Sequence, residues 1–450
     1  LERLLRMGGN GLSAHQQRLS TTQNNISNAL TPGYRRQTND LATLGGRLGA
    51  SGQLGVTTTG RRSIDAPLVD RWIPYERGRM GNAQTRYEIA SLTESTMSTS
   101  GTQLQEHVAE FFTSLRQLSA DPGSSIIRRD VVAKGQTLAD GFRQAAEALQ
   151  QVREGVRAQT EVLVEDINGK LDRVASLDRQ ITSGLGSPEI IDERDRLVSD
   201  LATSIGVRVV GMSNGGVSIV TASGRALVEG GQSRALSIAT NADEQVEVLM
   251  PDGQPLARPG GQIGAMIDSD REVVGRTMEQ LDTLARNFAD AVNVEHSAGV
   301  ALDGSTGRDF FASTGTPTGA AATFTVNAQI IDDPLLFGAS DDAALLPGGN
   351  DAVLNMIDIQ ESAIVGTDTF AKFVNEISSD IAQQVVDAEG DEMSTGQSLA
   401  QLENMQASTS GVSMEEEMIA MAQAKNAFEA SSRIIDVGNE LFDTVFNLVR

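Results

Sequence analysis

Over the last forty residues, 411 to 450, apolar side chains fall into two helical registers. Met414, Met421, Phe428, Ile435, Phe442 and Val449 recur every seven positions, with Met418 and Phe446 beside them. Ala420, Ala424, Ala427, Ser431, Ile434, Gly438, Leu441, Val445 and Leu448 step by alternating fours and threes. Two adjoining stripes predict one long helix packed on two sides: a face of large residues, and a face of small ones where another backbone can come close. Ser413-x-x-Glu416 has the form of a capping box at its start, and no proline interrupts the run. The first 29 residues carry a matching pattern, Leu5, Leu12, Leu19 and Ile26 at intervals of seven, with Gly8, His15 and Thr22 in a weaker alternate register. These leucines are the expected partners of the small-residue face. The N-terminal helix is expected to stop at Thr31-Pro32-Gly33.

Between the ends the pattern changes three times. Residues 38 to 65 are rich in Gly and Thr and read as an extended arm, with a short strand at Gly55 to Thr59. From Met80 the heptad returns through Ala83, Tyr87, Ala90, Met97, Leu104, Val108, Phe111, Leu115 and Leu118, broken at Glu94 and Gly101. Asp121-Pro122-Gly123 is a turn, followed by helix from about Ile126 to Ile181. Ser187-Pro188-Glu189 opens another helix that ends near Gly206. Residues 207 to 260 hold short β-prone runs such as Val217-Ser-Ile-Val and Val246-Glu-Val-Leu between Gly-rich turns, a small antiparallel module. Helix resumes from about Ile263 to His296. One strand is expected at Thr323 to Val326, then helices around Phe370 to Val386 and Leu399 to Met405.

The fold class is therefore mainly α, with a small β-rich insertion. Paired N- and C-terminal helices (1–37 with 411–450) form a terminal coiled-coil domain. Residues 38–206, 261–300 and 351–410 form a rod-like helical middle domain. Residues 207–260 form an outer β module, with 301–350 as a candidate addition.

Charge and composition narrow the function. The chain is acidic, with 60 Asp and Glu against 36 Lys and Arg, a poor fit to a nucleic-acid or anionic-membrane binder. The ends differ in sign: residues 1 to 62 carry eight arginines against Glu2 and Asp40, whereas the final helix is rich in Glu and Asp. There is no cysteine, which excludes disulfides and thiolate chemistry. No run has the length of a membrane span, and Leu-Glu-Arg-Leu-Leu-Arg-Met lacks the apolar core of a secretory signal. Aromatic residues are 4% of the chain, which suits long helices better than a large aromatic core.

The search for chemistry finds little. His15, His107 and His296 have no second histidine at metal-ligand spacing and read as packing or surface residues. Gly9-x-Gly11 has the spacing of part of a dinucleotide loop, but no strand precedes it. Glu415-Glu416-Glu417 suits the first turn of a helix through its dipole as well as it suits a cation. No Gly-x-Ser-x-Gly elbow has a histidine partner. Neither catalysis nor a cofactor or metal is expected, and the heptads alone fit a generic coiled-coil scaffold equally well.

The segment Asn24-Asn25-Ile26-Ser27-Asn28-Ala29-Leu30-Thr31-Pro32-Gly33-Tyr34, continuing through Arg35-Arg36-Gln37, resembles the N-terminal signature of bacterial flagellar rod, hook and hook-associated proteins. The likeness continues at Arg61-Arg62-Ser63-Ile64-Asp65, Asp192-Glu193-Arg194-Asp195-Arg196-Leu197-Val198 and Asn293-x-x-His296-x-x-Gly299. It closes at Ser410-Gly411-Val412-Ser413-Met414-Glu415-Glu416-Glu417. Arg35 stands where these relatives usually have Ser, and Ser27 where they have Ala. In this order the motifs are most similar to the hook-associated protein 1 family; another axial subunit is the nearest alternative.

That resemblance implies a structural subunit at the hook–filament junction, exported through the flagellar type III channel without a cleaved signal. Its implied partners are the hook protein, the second junction protein, copies of itself, and an export chaperone on the C-terminal helix. It also implies that Asn24, Asn25, Ile26, Asn28, Thr31, Pro32, Gly33, Tyr34, Arg36 and Gln37 serve assembly. The large-residue face of the last helix needs neighbours to bury it, so the termini are expected to order on assembly.

Overall fold

The computed structural model describes residues 2–31, 34–43, 56–63, 69–242, 245–312 and 318–448. The elements run α1 (Glu2–Ser27), β1 (Gln37–Thr43), β2 (Val56–Ser63), α2 (Val69–Ala120), α3 (Ser125–Gln180) and α4 (Pro188–Ile205). Six short strands follow: β3 (Arg208–Gly211), β4 (Val217–Val220), β5 (Ala226–Glu229), β6 (Gln232–Ser233), β7 (Ser237–Thr240) and β8 (Val246–Leu249). The chain ends with α5 (Gly261–Ser269), α6 (Arg276–Ala298), α7 (Ala328–Asp332), α8 (Asp351–Asp358), α9 (Phe370–Ser410) and α10 (Met414–Leu448). The long helices divide it into two compact units. One comprises Leu1–Met80, Ile167–Ala235 and Thr395–Arg450; the other comprises Gly81–Asp166 and Leu236–Ser394.

The first unit holds both ends of the chain. Here α1 lies against α10, and β1 pairs antiparallel with β2 in a hairpin whose register slips between Asp40 and Leu41. The arm expected over 38–65 is thus partly this hairpin; Gly55, Ile64 and Asp65 lie outside the described residues. Helix α4 begins after Ser187 with Pro188 in its first turn and stops at Gly206, whose φ of 64° is one a Cβ would oppose. Strands β3 to β6 form a four-stranded antiparallel sheet in chain order. Asp178, buried near the end of α3, accepts the Val217 N–H at 2.8 Å and so fixes where β4 begins.

The second unit is built around phenylalanine. Nine of the chain's 13 (Phe111, Phe112, Phe142, Phe288, Phe310, Phe311, Phe324, Phe337 and Phe370) lie in one buried cluster with leucines of α2, α3 and α6. Their rings meet edge-on or tilted, as Phe111 with Phe112 at 5.7 Å and Phe142 with Phe324 at 4.7 Å. The low aromatic content conceals this core because just over half of the 17 aromatic residues are spent in one place.

Four expectations are corrected here. The β module of 207–260 is two sheets: β3–β6 belongs to the first unit, while β7–β8 is a separate pair in the second. Its second anchor repeats the first, since buried Asp270 accepts the Val246 N–H at 3.0 Å. Residues 301–350 join the phenylalanine cluster through Phe310, Phe311, Phe324 and Phe337, so they pack among helices and not with the outer strands. The strand at Thr323 to Val326 is reduced to a single bridge between Phe311 and Val326, because Phe324 turns inward. The two helices expected between 370 and 405 are one, α9. Gly390 and Gly396 each weaken a helix by about 1 kcal/mol, which Ile377, Ile381, Ala388 and Thr395, all buried, outweigh.

Arg128 and His296 are among the polar groups buried inside the second unit. Arg128 is fully buried and faces no carboxylate; its Nε donates to Pro122 O at 2.8 Å and Nη1 to Phe337 O. Burial lowers its pKa to about 10. His296 has Nδ1 2.7 Å from Arg308 O and accepts the Gly338 N–H at Nε2, 3.1 Å. This pair of bonds defines a neutral tautomer with the proton on Nδ1. Burial pushes its pKa down to about 4.

Candidate functional site: the terminal clasp

The signature after α1 folds into a polar knot that ties the two ends of the chain together. Helix α1 ends at Ser27, four residues before the expected stop, as Asn28 donates its side-chain amide to Asn24 O at 2.9 Å. Thr31 then hydroxyl-bonds Asn28 Oδ1 at 3.3 Å, turning the chain back. Asn25, 1% exposed, is the centre. Its Oδ1 accepts from the Gln37 N–H at 3.0 Å and from the Tyr34 hydroxyl at 2.9 Å. Its Nδ2 donates to Gln37 O at 2.9 Å and to Glu417 Oε2 at 3.1 Å. All the hydrogen-bonding capacity of one amide is used, which only Asn supplies at that length.

Glu417 is the C-terminal half of the knot, 2% exposed in the first turn of α10. Arg36 reaches it through Nε at 2.7 Å and places Nη1 2.9 Å from Glu416 Oε2, while the Arg36 N–H bonds Ser410 O. A buried carboxylate is tolerated because a guanidinium and an amide both donate to it. The capping box is therefore half made. The Ser413 hydroxyl accepts from the Glu416 N–H at 3.4 Å, but the Glu416 carboxylate turns to Arg36 instead of back to the cap. Two of the three acids read as a first-turn cluster are ligands of an arginine. Among the described residues no group of three or more His, Asp or Glu is placed to hold a metal ion.

Beyond the knot the helices run antiparallel and meet by small residues. Glu417, Ala424, Ser431 and Gly438 are the buried positions of α10, seven apart. On its side α1 buries Gly8, Ala14, Thr21, Thr22 and Asn25, with Thr21 donating to Asn39 of β1. Leu5 covers Gly438, where a Cβ would lie 2.8 Å from Leu5 Cδ2. The expected centre of the seam moves accordingly: Leu5, Leu12, Leu19 and Ile26 are half-buried at its flank, and the register of Gly8 and Thr22 lies inside. Glycine lets the backbones approach, with Leu5 seated over Gly438 and Leu12, Leu19 and Ile26 half-buried.

Of the large-residue face, Met421, Phe428 and Ile435 are half-buried, whereas Met414, Met418 and Phe442 are exposed, as are Leu441 and Val445. Asn24 is half-buried and Thr31 exposed. Pro32, Gly33, Val449 and the side chain of Phe446 lie outside the described residues. Sequence reasoning reads Glu417 only as one of three first-turn acids and misses its place in the clasp. Its signal was its place in the seven-residue series 417, 424, 431, 438, where a carboxylate among small residues requires a donor.

Known proteins match the chain in three blocks. Residues 90–311 match the family described as the flagellar hook-associated protein FlgK helical domain. Residues 5–35 match the flagella basal body rod protein family, and 406–448 the C-terminal family of flagellar basal body rod proteins FlgEFG. Flagellar hook-associated protein 1 of Escherichia coli (strain K12) is 27% identical, over 97% of this chain and 98% of that one. The Bacillus subtilis (strain 168) protein of that name is 27% identical over 97% and 96%. Along nearly its whole length the chain is similar to flagellar hook-associated protein 1.

It is a structural subunit of the flagellum at the junction of hook and filament. The alignment to the Escherichia coli relative runs 538 positions against 450 residues here, so that relative carries insertions this chain lacks. The fold agrees with the flagellar hook junction protein FlgK of Burkholderia pseudomallei, with a TM-score of 0.51 at 24% identity over 54% of this chain and 46% of that one. Asn25, Tyr34 and Glu417 of the clasp fall in the two blocks matched by rod-protein families, and Arg36 and Gln37 follow directly after the first. The block matched by the hook-associated helical domain contains six of the nine core phenylalanines; Phe324, Phe337 and Phe370 lie beyond it.

Proposed function

We propose that the clasp is the assembly element of this junction subunit, and that the chain is non-catalytic. The observation that carries the reading is the buried Glu417 carboxylate, held by Asn25 and Arg36 from the other end of the chain. It sets α1 and α10 in one register and leaves Met414, Met418, Leu441, Phe442 and Val445 facing outward for neighbours. Those neighbours are the hook protein, the second junction protein and further copies of this chain. Before assembly the same face is held by an export chaperone, and the chain leaves through the type III channel without a cleaved signal. In this scheme the terminal domain (1–37 with 411–450) orders on assembly, while the helical middle domain folds by itself.

The test is cellular. A strain lacking the protein is expected to bear hooks without filaments, with the protein at the hook tip in the wild type; ordinary filaments in that strain would sink the reading. Ile435→Asp and Phe428→Asp are expected to abolish filaments while the second unit stays folded.

A further inference from the structure

The chain has one tryptophan, and it is in water. Trp72 is 57% exposed and Tyr75 54%, on the first turns of α2, their rings edge-to-face at 5.9 Å. Arg71 and Arg79 share that helix face by spacing and are both exposed, Arg79 with Nη1 3.2 Å from the Glu76 carboxylate. Trp, Tyr and Arg are the residues most enriched where protein contacts carry their binding energy. A paired aromatic patch bracketed by cations suits an acidic partner surface that is also apolar.

The first turns of α10 present such a surface. Met414, Met418 and Ile419 are 46%, 55% and 59% exposed, with exposed Glu415 among them. Thioethers pack well on aromatic rings, and a carboxylate answers an arginine. The wider charge agrees: residues 1–80 carry eleven arginines against five acids, and residues 414–448 carry seven acids against Lys425 and Arg433. Both surfaces are exposed in the single chain, so neither covers the other within it.

We propose that the Trp72–Tyr75 face of one copy docks on the Met414–Met418 face, with Glu415, of the next. The two surfaces differ, so the contact is head-to-tail and propagates around a ring or along a helix instead of closing at two. This deepens the assembly reading above and rests on it.

A single tryptophan makes the test direct. The full-length chain is assembled, association is followed by sedimentation, and Trp72 emission and acrylamide quenching are read in the same samples. Association is expected to move the emission to the blue and cut quenching severalfold. Trp72→Ala and, on the opposite surface, Glu415→Arg are each expected to weaken copy–copy association on the order of tenfold or more. Arg79→Glu mixed with Glu415→Arg is expected to restore part of it. Association with Trp72 still as quenchable as in the monomer overturns the proposal and leaves the assembly reading standing. A blue shift that needs added hook subunits, without association of copies, also overturns it. No association of copies by sedimentation defeats the assembly reading itself.

Discussion

Gly8 of α1 faces Ile435 of α10 so closely that a Cβ at position 8 would lie 2.7 Å from Ile435 Cγ1 and 3.5 Å from Ser431 O. The next residue, Gly9, is exposed, and a Cβ there would meet nothing within 4 Å. The same substitution should therefore have opposite signs at neighbouring positions. Gly9→Ala is expected to stabilise α1 by up to ~1 kcal/mol through helix propensity. Gly8→Ala should destabilise the helix pair by about 1–3 kcal/mol, as overpacking outweighs that gain. Denaturant unfolding of assembled protein, followed by helix content, would distinguish them; equal effects would mean the helices do not meet at Gly8.

Removing the Glu417 carboxylate leaves Arg36 and the buried Asn25 amide without their acceptor. Glu417→Ala is expected to cost about 3 kcal/mol, the low end for a broken buried pair because Arg36 keeps some access to water. Glu417→Gln should cost less, since a carbonyl oxygen still accepts one of the two donors. Stability of the assembled termini against urea, measured for both variants, checks the order.

Acid should loosen the second unit through His296. The unfolded chain takes up a proton near 6.5 that folded His296 refuses until about 4, so unfolding gains protons in that window. The contribution is present in full above pH 6.5, is lost as pH falls from 6.5 to 4, and amounts to roughly 3 kcal/mol. Unfolding free energies at pH 7 and pH 4.5 for the wild type and His296→Gln isolate the group. The wild type is expected to lose more between them, and parallel losses would contradict the neutral buried tautomer.

Asp178 positions a strand by accepting one backbone N–H. Asp178→Ala should leave the Val217 amide buried and unpaired, at about 1–3 kcal/mol, while Asp178→Asn keeps an acceptor and costs less. Hydrogen exchange at the Val217 amide reads this locally: faster in the Ala variant, near wild type in the Asn variant.

Much of this is legible along the chain because helix and turn signals are local. Pro188 and Gly206 bound α4, and the three-four spacing from Ala83 to Leu118 marks positions that are buried in α2. The flagellar likeness is legible too, since the stretch around Asn25 to Gln37 is contiguous. The long-range partners are not. Nothing near Asn25 in sequence names Glu417, which is 392 positions away. Gly390 and Gly396 look like a break until buried Ala388 and Thr395 hold α9 together. Phe310, Phe311, Phe324 and Phe337 sit in Gly- and Ala-rich sequence with no periodicity, so their place in the core had no signal.

By itself the sequence determined the helical elements, the lack of thiol chemistry, the opposite charge of the two ends and the flagellar signature, all properties of residues near one another in the chain. Tertiary structure decided which register of α1 lies inside, that a carboxylate rather than a leucine anchors the two ends, and that the aromatic residues form one core. The physical reason is that burial and hydrogen-bond partnership depend on what the chain brings together across hundreds of residues. An apolar stripe states that it needs covering, and only the folded chain supplies the residue that covers it.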